Sequence, residues 1–215
     1  MNAPGERGTR NRILEVAEEF LGEHGYHGTR LHQIAERVGI QKASLFHYFP
    51  SKAQLYRSVI EEGFGEMEET IGRVLQRGGK PLEIIEAVAE EYVNQVVAHR
   101  ERTKIFLRLS LGDAPGDYKT MAEAQRLVSM VVRFVAEGQQ AHALRPMDPL
   151  GLVIGVVGMV AFFFTSAQEL GSVWAEDPFG PATVERVKRL VVDVIRRCLA
   201  PVDHQSAQET KTAIA

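Results

Sequence analysis

The chain has 215 residues, which is enough for a substantial core and corresponds to one or two domains. Its composition, 45% hydrophobic and 25% charged, is that of an ordinary soluble globular protein. The formal net charge of −3 excludes a uniformly basic protein that coats nucleic acid, but it is compatible with a local basic patch.

Cysteine content and the N-terminal sequence bear on the compartment. Cys198 is the single cysteine, which excludes an intramolecular disulfide and a cysteine-based zinc site. The first twelve residues are polar and show no apolar segment of a secretory signal. We therefore expect a cytoplasmic protein.

Helical periodicity runs along most of the chain, and no segment alternates in the manner of a strand. An all-α fold of about nine helices is predicted, at residues 9–23, 30–38, 41–47, 51–78, 81–99, 103–111, 117–140, 148–170 and 181–199. Residues 201–215 lack large apolar periodicity, so they are predicted to be a disordered tail.

Local signals mark the ends of the first four helices. Thr9 is a plausible N-cap of the first helix, and Gly25 ends it. Gly39 turns the chain between the second and third helices. Pro50 stops the third helix, because the residue before a proline is driven out of helical space, and Ser51 caps the fourth.

The second and third helices form a helix-turn-helix at residues 30–49, braced by the longer first helix. In such a unit the second helix of the pair enters the major groove of DNA. The stretch 39–60 contains no Asp or Glu but contains Lys42, Lys52 and Arg57. Residues 1–57 hold eight basic and six acidic residues, whereas the remainder holds 17 and 22. The basic surplus thus lies with the helix-turn-helix, as the neutralisation of phosphates requires.

The same region resembles the tetracycline-repressor-like (TetR) family of regulators over about residues 9–60. The resemblance is carried most specifically by the run LFHYFPSKAQL, and also by Gly25-Tyr26, Thr29, Ile34-Ala35 and Val38-Gly39-Ile40. It implies a helix-turn-helix DNA-binding domain at 1–50 and a helical effector-binding and dimerisation domain at 51–200. It further implies a dimer on a palindromic double-stranded operator and, by analogy with the family, repression relieved by a small-molecule effector.

The resemblance implies a role for each matching position. Phosphate contacts are expected from Thr29 and Arg30 and from His47, Tyr48 and Lys52, whereas base contacts are expected from Gln41, Lys42, Ala43 and Ser44. The chemistry agrees, because Gln can bond adenine, Lys can donate to guanine, and an Ala methyl can touch a thymine methyl.

Three residues depart from the usual family pattern. Arg30 and Gln41 stand where Ser or Thr is common, so both short helices are expected to be poorly capped. Phe46 replaces a common Tyr and removes one hydroxyl that could contact phosphate. These departures affect individual contacts and not the motif.

The resemblance places the dimer interface in the last two helices, 148–170 and 181–199. Residues 149–168 carry no charge, and a helix that is apolar all round is either buried or crosses a membrane. We favour burial with no membrane partner, because no basic cluster or aromatic belt flanks the segment. The alternative is a membrane-associated helical protein with a span near 149–168.

An apolar or amphipathic effector is predicted from the residues available to line a pocket. The apolar candidates are Tyr92, Phe106, Met121, Met159, Phe162 and Phe163, and the polar candidates are His99, Arg108 and Arg126. Taken singly, each apolar candidate is better explained as an ordinary core residue, and each polar candidate as part of a solvated helix face.

Enzymatic and metal-binding functions find little support in the sequence. GxSxG, HExxH and phosphate-loop motifs are absent. His24, His27 and His32 lie close together in sequence, but no acid or cysteine completes an obvious ligand set. We expect no enzyme activity, no cofactor and no metal.

Overall fold

The computed structural model of the protein describes residues 4–112, 121–167 and 176–201. Within these ranges the chain forms nine α-helices and no strand, which confirms the all-α prediction. The helices are α1 (Pro4–Gly28), α2 (Leu31–Val38), α3 (Lys42–Tyr48), α4 (Lys52–Leu75), α5 (Pro81–Ala98), α6 (Arg100–Ser110), α7 (Met121–Gln140), α8 (Pro149–Ser166) and α9 (Pro181–Leu199). The predicted tail lies outside the described residues, apart from Pro201.

The first helix begins earlier than its sequence predicts. Thr9 lies inside α1 and does not cap it, because the helix already starts at Pro4, a residue whose fixed φ suits the first helical turn. The predicted end at Gly25 is confirmed as a break. Gly25 has φ 69° and ψ 178°, so the regular helix stops there and a short turn leads to Gly28.

Capping residues account for several of the ends of α2, α3 and α4. Gly39 adopts the left-handed conformation at φ 84°, and its N–H donates to the carbonyls of Ala35 and Glu36, which closes α2. Neither Arg30 nor Gln41 makes a side-chain cap, as predicted. The Ser51 hydroxyl accepts from the Gln54 N–H at 3.1 Å, which confirms its role as the N-cap of α4.

One hydrophobic core joins the helix-turn-helix to part of the larger domain. Buried apolar residues of α1, α2 and α3 pack with the first half of α4 and with Ile105 and Leu109 of α6. The predicted domain boundary at residue 50 therefore lies between two helices, α3 and α4, that share one hydrophobic core. As a consequence, a movement of α4 or α6 directly displaces residues that pack against the helix-turn-helix.

A second core lies among α5, α7, α8 and α9. Its buried members include Val93 of α5, Val135 of α7, Val160 of α8 and Val191 of α9. At its margin Arg196 of α9 binds the Glu86 carboxylate of α5 through two hydrogen bonds of 2.6 and 2.8 Å. This fork-shaped pair fixes the register of the two helices.

Helix α8 is only partly buried in the single chain. It is long and apolar enough to cross a membrane by composition, with a mean hydropathy of 2.0, and 28% of it is buried. Within one chain, Leu152, Val160 and Phe164 face the core, while the opposite side faces outward, so burial of the whole helix stays a prediction for the dimer.

Candidate nucleic-acid interface

Helix α3 is seated by two buried residues. Leu45, within the helix, is fully buried, and Phe49, the extended residue that ends it, is 1% exposed. The N-terminal turn then points away from the core, so that Gln41, Lys42, Ala43 and Ser44 are all exposed. These four predicted base-contacting residues thus form one accessible surface, which we call the α3 surface.

Aromatic rings support the polar residues of α3. The Lys42 ammonium lies 5.8 Å from the centroid of the Phe46 ring, which is itself 39% exposed. His47 and Tyr48 pack edge to face with their rings 5.7 Å apart. Phe46 therefore supports Lys42 of the α3 surface through its ring. The sequence analysis considered only the hydroxyl that Phe46 lacks.

Lys52 stands at the first turn of α4, next to the end of α1. Its Nζ donates to the His27 carbonyl at 3.4 Å and lies 4.6 Å from the centroid of the Tyr26 ring. Partial burial lowers the pKa of Lys52 from its ordinary value. These contacts hold the ammonium at the rim of the helix-turn-helix, and the side chain stays half-exposed.

Thr29 departs from its predicted role. Its side chain is 2% exposed, and its hydroxyl donates to the carbonyls of Gly25 at 2.7 Å and Phe20 at 3.0 Å. The hydroxyl therefore stabilises the turn after α1, and its proton is already used within the fold. Arg30, the next residue, is exposed, so it remains available for a phosphate contact.

The cations on and around the α3 surface have no acidic partner within the described part of the chain. Arg30, Lys42 and Lys52 form no ion pair there. Arg37 of α2, by contrast, lies 3.8 Å from the carboxylate of Glu19 of α1. Unpaired cations beside an exposed helix N-terminus are what phosphate binding requires.

A buried arginine ties the helix-turn-helix to the larger domain. Arg102 of α6 is 8% exposed and donates to Glu18 of α1 at 2.9 Å and to Glu66 of α4. Although burial alone lowers the pKa of Arg102, the charges and hydrogen bonds of both glutamates raise it overall. Nothing in the local sequence around Arg102 identified this role, because its partners lie 84 and 36 residues away.

The predicted effector residues do not all converge, although Tyr92 and Phe106 both pack against a third buried cluster, formed by Met67, Ile71, Val74 and Val88. Tyr92, Met159 and Phe163 pack against the second core, and the Tyr92 hydroxyl lies 3.5 Å from the Val157 carbonyl, its pKa raised by burial. Phe106 instead stacks on Phe64 with the ring centroids 4.0 Å apart.

The other candidates lie elsewhere for identifiable reasons. Arg108 donates to the Leu21 and Glu23 carbonyls of α1, and Arg126 pairs at the surface with Glu68 and Glu123. Phe162 is 65% exposed, His99 joins α5 to α6, and the Met121 side chain lies outside the described part of the chain.

A cavity of about 90 Å³ opens where α5, α6 and α8 meet the segment before α9. Its lining comprises Val96, Arg100, Glu101, Thr103, Lys104, Phe164, Thr165 and Phe179. None of the predicted effector residues is among them. We call this space the α6 cavity. In the described ranges, no cluster of His, Cys, Asp or Glu residues is arranged to hold a metal ion.

Sequence profiles of known families match both parts of the chain. The profile described as bacterial regulatory proteins, tetR family, matches residues 13–59, and that of the tetracyclin repressor-like C-terminal domain matches residues 81–195. The chain belongs to the TetR family. It is a DNA-binding transcriptional regulator, with its helix-turn-helix in α2 and α3, as the resemblance implied.

Individual TetR-family proteins agree with this assignment. RutR of Escherichia coli K12, a transcriptional regulator, is 26% identical over 202 residues, covering 87% of this chain and 90% of RutR. The transcriptional repressor AcnR of Corynebacterium diphtheriae is 27% identical over 128 residues, covering 57% of this chain and 60% of AcnR. The crystal structure of AibR with isovaleryl coenzyme A and operator DNA shares the fold, with a TM-score of 0.69 at 22% identity, and the match covers 90% of this chain and 100% of AibR.

Proposed function

We propose that this TetR-family regulator is a cytoplasmic homodimeric repressor that binds a palindromic operator and releases it when a small molecule occupies its larger domain. The observation that carries the proposal is the α3 surface, whose four residues are exposed while Leu45 and Phe49 anchor the helix from behind. A second protomer related by two-fold symmetry would present the same surface to a second half-site, which makes the operator palindromic.

The outward side of α8 supports the homodimer. Leu150, Ile154 and Phe162 are 51%, 52% and 65% exposed and follow one another at multiples of four residues, with Gly158 between them. A Cβ added at Gly155 or Gly158 would meet nothing within 4 Å. We call the row Leu150, Ile154, Gly158 and Phe162 the α8 stripe. An apolar stripe of this kind fits a partner helix at close range.

The same stripe is less well explained by a membrane. The other side of α8 contributes Leu152, Val160 and Phe164 to the core shared with α5 and α9. A helix that crossed a bilayer would have to leave this core and expose the apolar residues of three other helices. Pelleting of the purified protein with phospholipid vesicles would favour the membrane alternative.

Two relatives and the contacts between the two domains support repression that an effector relieves. AcnR is a named repressor, and the AibR structure demonstrates that this fold accommodates operator DNA together with an acyl thioester. An effector can release DNA only by binding better to the arrangement of helices in which the two α3 surfaces do not match the operator. The α6 contacts to α1, through Arg102 and Arg108, supply a route for that change.

The decisive experiment is a gel shift on the promoter region beside the gene, at several salt concentrations. We expect a salt-sensitive complex and a palindromic footprint. Lys42→Ala should weaken specific binding by about 1–3 kcal/mol if it contacts a base. Lys80→Ala, which removes an exposed lysine at the start of α5, is the matched control and should bind as the wild type does. Equal binding by Lys42→Ala and wild type would contradict the assignment of the α3 surface.

A further inference from the structure

We propose that the α6 cavity binds a short-chain carboxylate and that Glu101 passes the binding event to α1. The inference rests on the proposed function in one respect, since it supplies the effector site of the repressor. The volume of about 90 Å³ limits the occupant. A dry cavity of about 150 Å³ holds the six heavy atoms of benzene, so the α6 cavity suits about three or four heavy atoms, such as the carboxylate end of a longer molecule.

The polar lining favours an anion. Arg100 and Lys104 bring two positive charges to the cavity, and Glu101 brings one negative charge. The two threonine hydroxyls already donate to carbonyls of their own helices, Thr103 to His99 at 3.1 Å and Thr165 to Ala161 at 2.7 Å. The donors that remain for a ligand therefore come from the two cations, which match a carboxylate.

The remaining wall is apolar. Val96, Phe164 and Phe179 line it, and they fit an aliphatic tail of a few carbons. Phe179 also holds Arg100 in place, because the guanidinium carbon lies 3.6 Å from the centroid of the ring. One cation is thus fixed before a ligand arrives, and this lowers the entropy cost of binding.

Glu101 connects this cavity with α1. One of its carboxylate oxygens accepts from the Lys104 ammonium at 2.8 Å. The other, Oε2, is buried and has no hydrogen-bond partner within the described part of the chain. The side chain lies against Gly22 of α1, where an added Cβ would come within 2.7 Å of the Glu101 Cα. The two helices are therefore in direct backbone contact at this carboxylate.

The ligand acts by competing for Lys104. A carboxylate that accepts from the Lys104 ammonium weakens the Lys104–Glu101 pair, leaving Glu101 charged, partly buried and poorly compensated. Oε1 belongs to the exposed third of the side chain and reaches water already. Because Gly22 leaves no space on the α1 side, the buried Oε2 gains water only when α6 moves away from α1. Such a movement also disturbs the Arg108 contacts with the Leu21 and Glu23 carbonyls of α1. It thereby changes the orientation of the helix-turn-helix, which α1 supports.

The test uses butyrate as the probe and butyramide, its neutral analogue of the same size, as the matched control. Calorimetric titration of the full chain should detect butyrate binding, with butyramide at least about tenfold weaker, because it lacks the charge that Arg100 and Lys104 bind. Lys104→Gln should weaken butyrate binding by about tenfold, while Lys80→Gln, in another Lys–Glu pair three residues apart, should have no effect. Equal binding of butyrate and butyramide, no binding of either, or unchanged affinity in Lys104→Gln would overturn the proposal.

A gel shift with and without butyrate tests the role of Glu101. Butyrate should weaken the operator complex of the wild type, whereas Glu101→Gln should bind butyrate and keep its operator complex in its presence. Circular dichroism melting of both variants establishes that they fold. Release from Glu101→Gln equal to that from wild type would overturn the link to α1. A wild type that binds no operator would refute the proposed repressor, and the titration would still decide whether the cavity binds carboxylates.

Discussion

The hydroxyl of Thr29 holds the turn between α1 and α2 together. It donates to the carbonyls of Phe20 and Gly25 from a position that is 2% exposed. Thr29→Val keeps the shape of the side chain but removes the one hydroxyl proton that the two carbonyls share, while Gly25 still accepts from the Thr29 N–H. We therefore expect the free energy of unfolding to fall by about 0.5–1.5 kcal/mol. Urea denaturation measures the loss, and Thr29→Ser, which retains the hydroxyl, should recover most of it.

The same pair of variants separates a structural role from a phosphate contact. With a buried hydroxyl, folded Thr29→Val should bind the operator with the wild-type dependence on salt. A phosphate contact would give the opposite pattern, namely unchanged stability, weaker operator binding and a salt slope smaller by about one. That pattern would restore the role that the family resemblance implies for Thr29.

Within α4, two glycines that look equivalent in the sequence have different surroundings. A Cβ added at Gly63 would lie 2.7 Å from the Arg102 Cδ and 3.1 Å from the Phe106 Cζ, whereas one added at Gly65 would meet nothing within 4 Å. We expect Gly63→Ala to destabilise the protein by about 1–3 kcal/mol because it overpacks the contact with α6. Gly65→Ala, the matched control, should stabilise it by about 0.5–1 kcal/mol through helix propensity. Thermal melting compares the two, and equal effects would contradict a specific contact between α4 and α6 at Gly63.

The helices themselves were predictable because their signals are local. Gly25, Gly39 and Ser51 acted as the sequence predicted, since a left-handed glycine or a capping hydroxyl decides a boundary within one turn. Thr9 failed as a cap because Pro4 also favours a helix start and lies farther towards the N-terminus. Local signals conflict where two candidate starts stand close together, and propensity alone does not choose between them.

The α3 surface was also predictable, whereas the α6 cavity was not. Seven consecutive helical residues contain both the buried and the exposed positions of α3, so a single periodic pattern separates them. The cavity depends on Val96, Lys104 and Phe164, which lie on three helices. Their convergence is determined by the crossing of α5, α6 and α8, and no spacing within one helix encodes it.

At the scale of the whole molecule, the proposed homodimer covers the exposed side of α8. Ile154 is 52% exposed in the middle of the α8 stripe, so a lysine there leaves the fold of one chain intact. In a homodimer the same lysine meets the partner's apolar surface and must lose its hydration, a cost that the interface cannot offset. We expect Ile154→Lys to be monomeric in analytical ultracentrifugation. Its operator affinity should fall by at least about a hundredfold, because the two half-sites are then bound independently. Leu111→Lys, a change at an exposed leucine outside α8 and α9, should remain dimeric and bind normally. A dimeric Ile154→Lys with wild-type operator affinity would move the interface away from the α8 stripe.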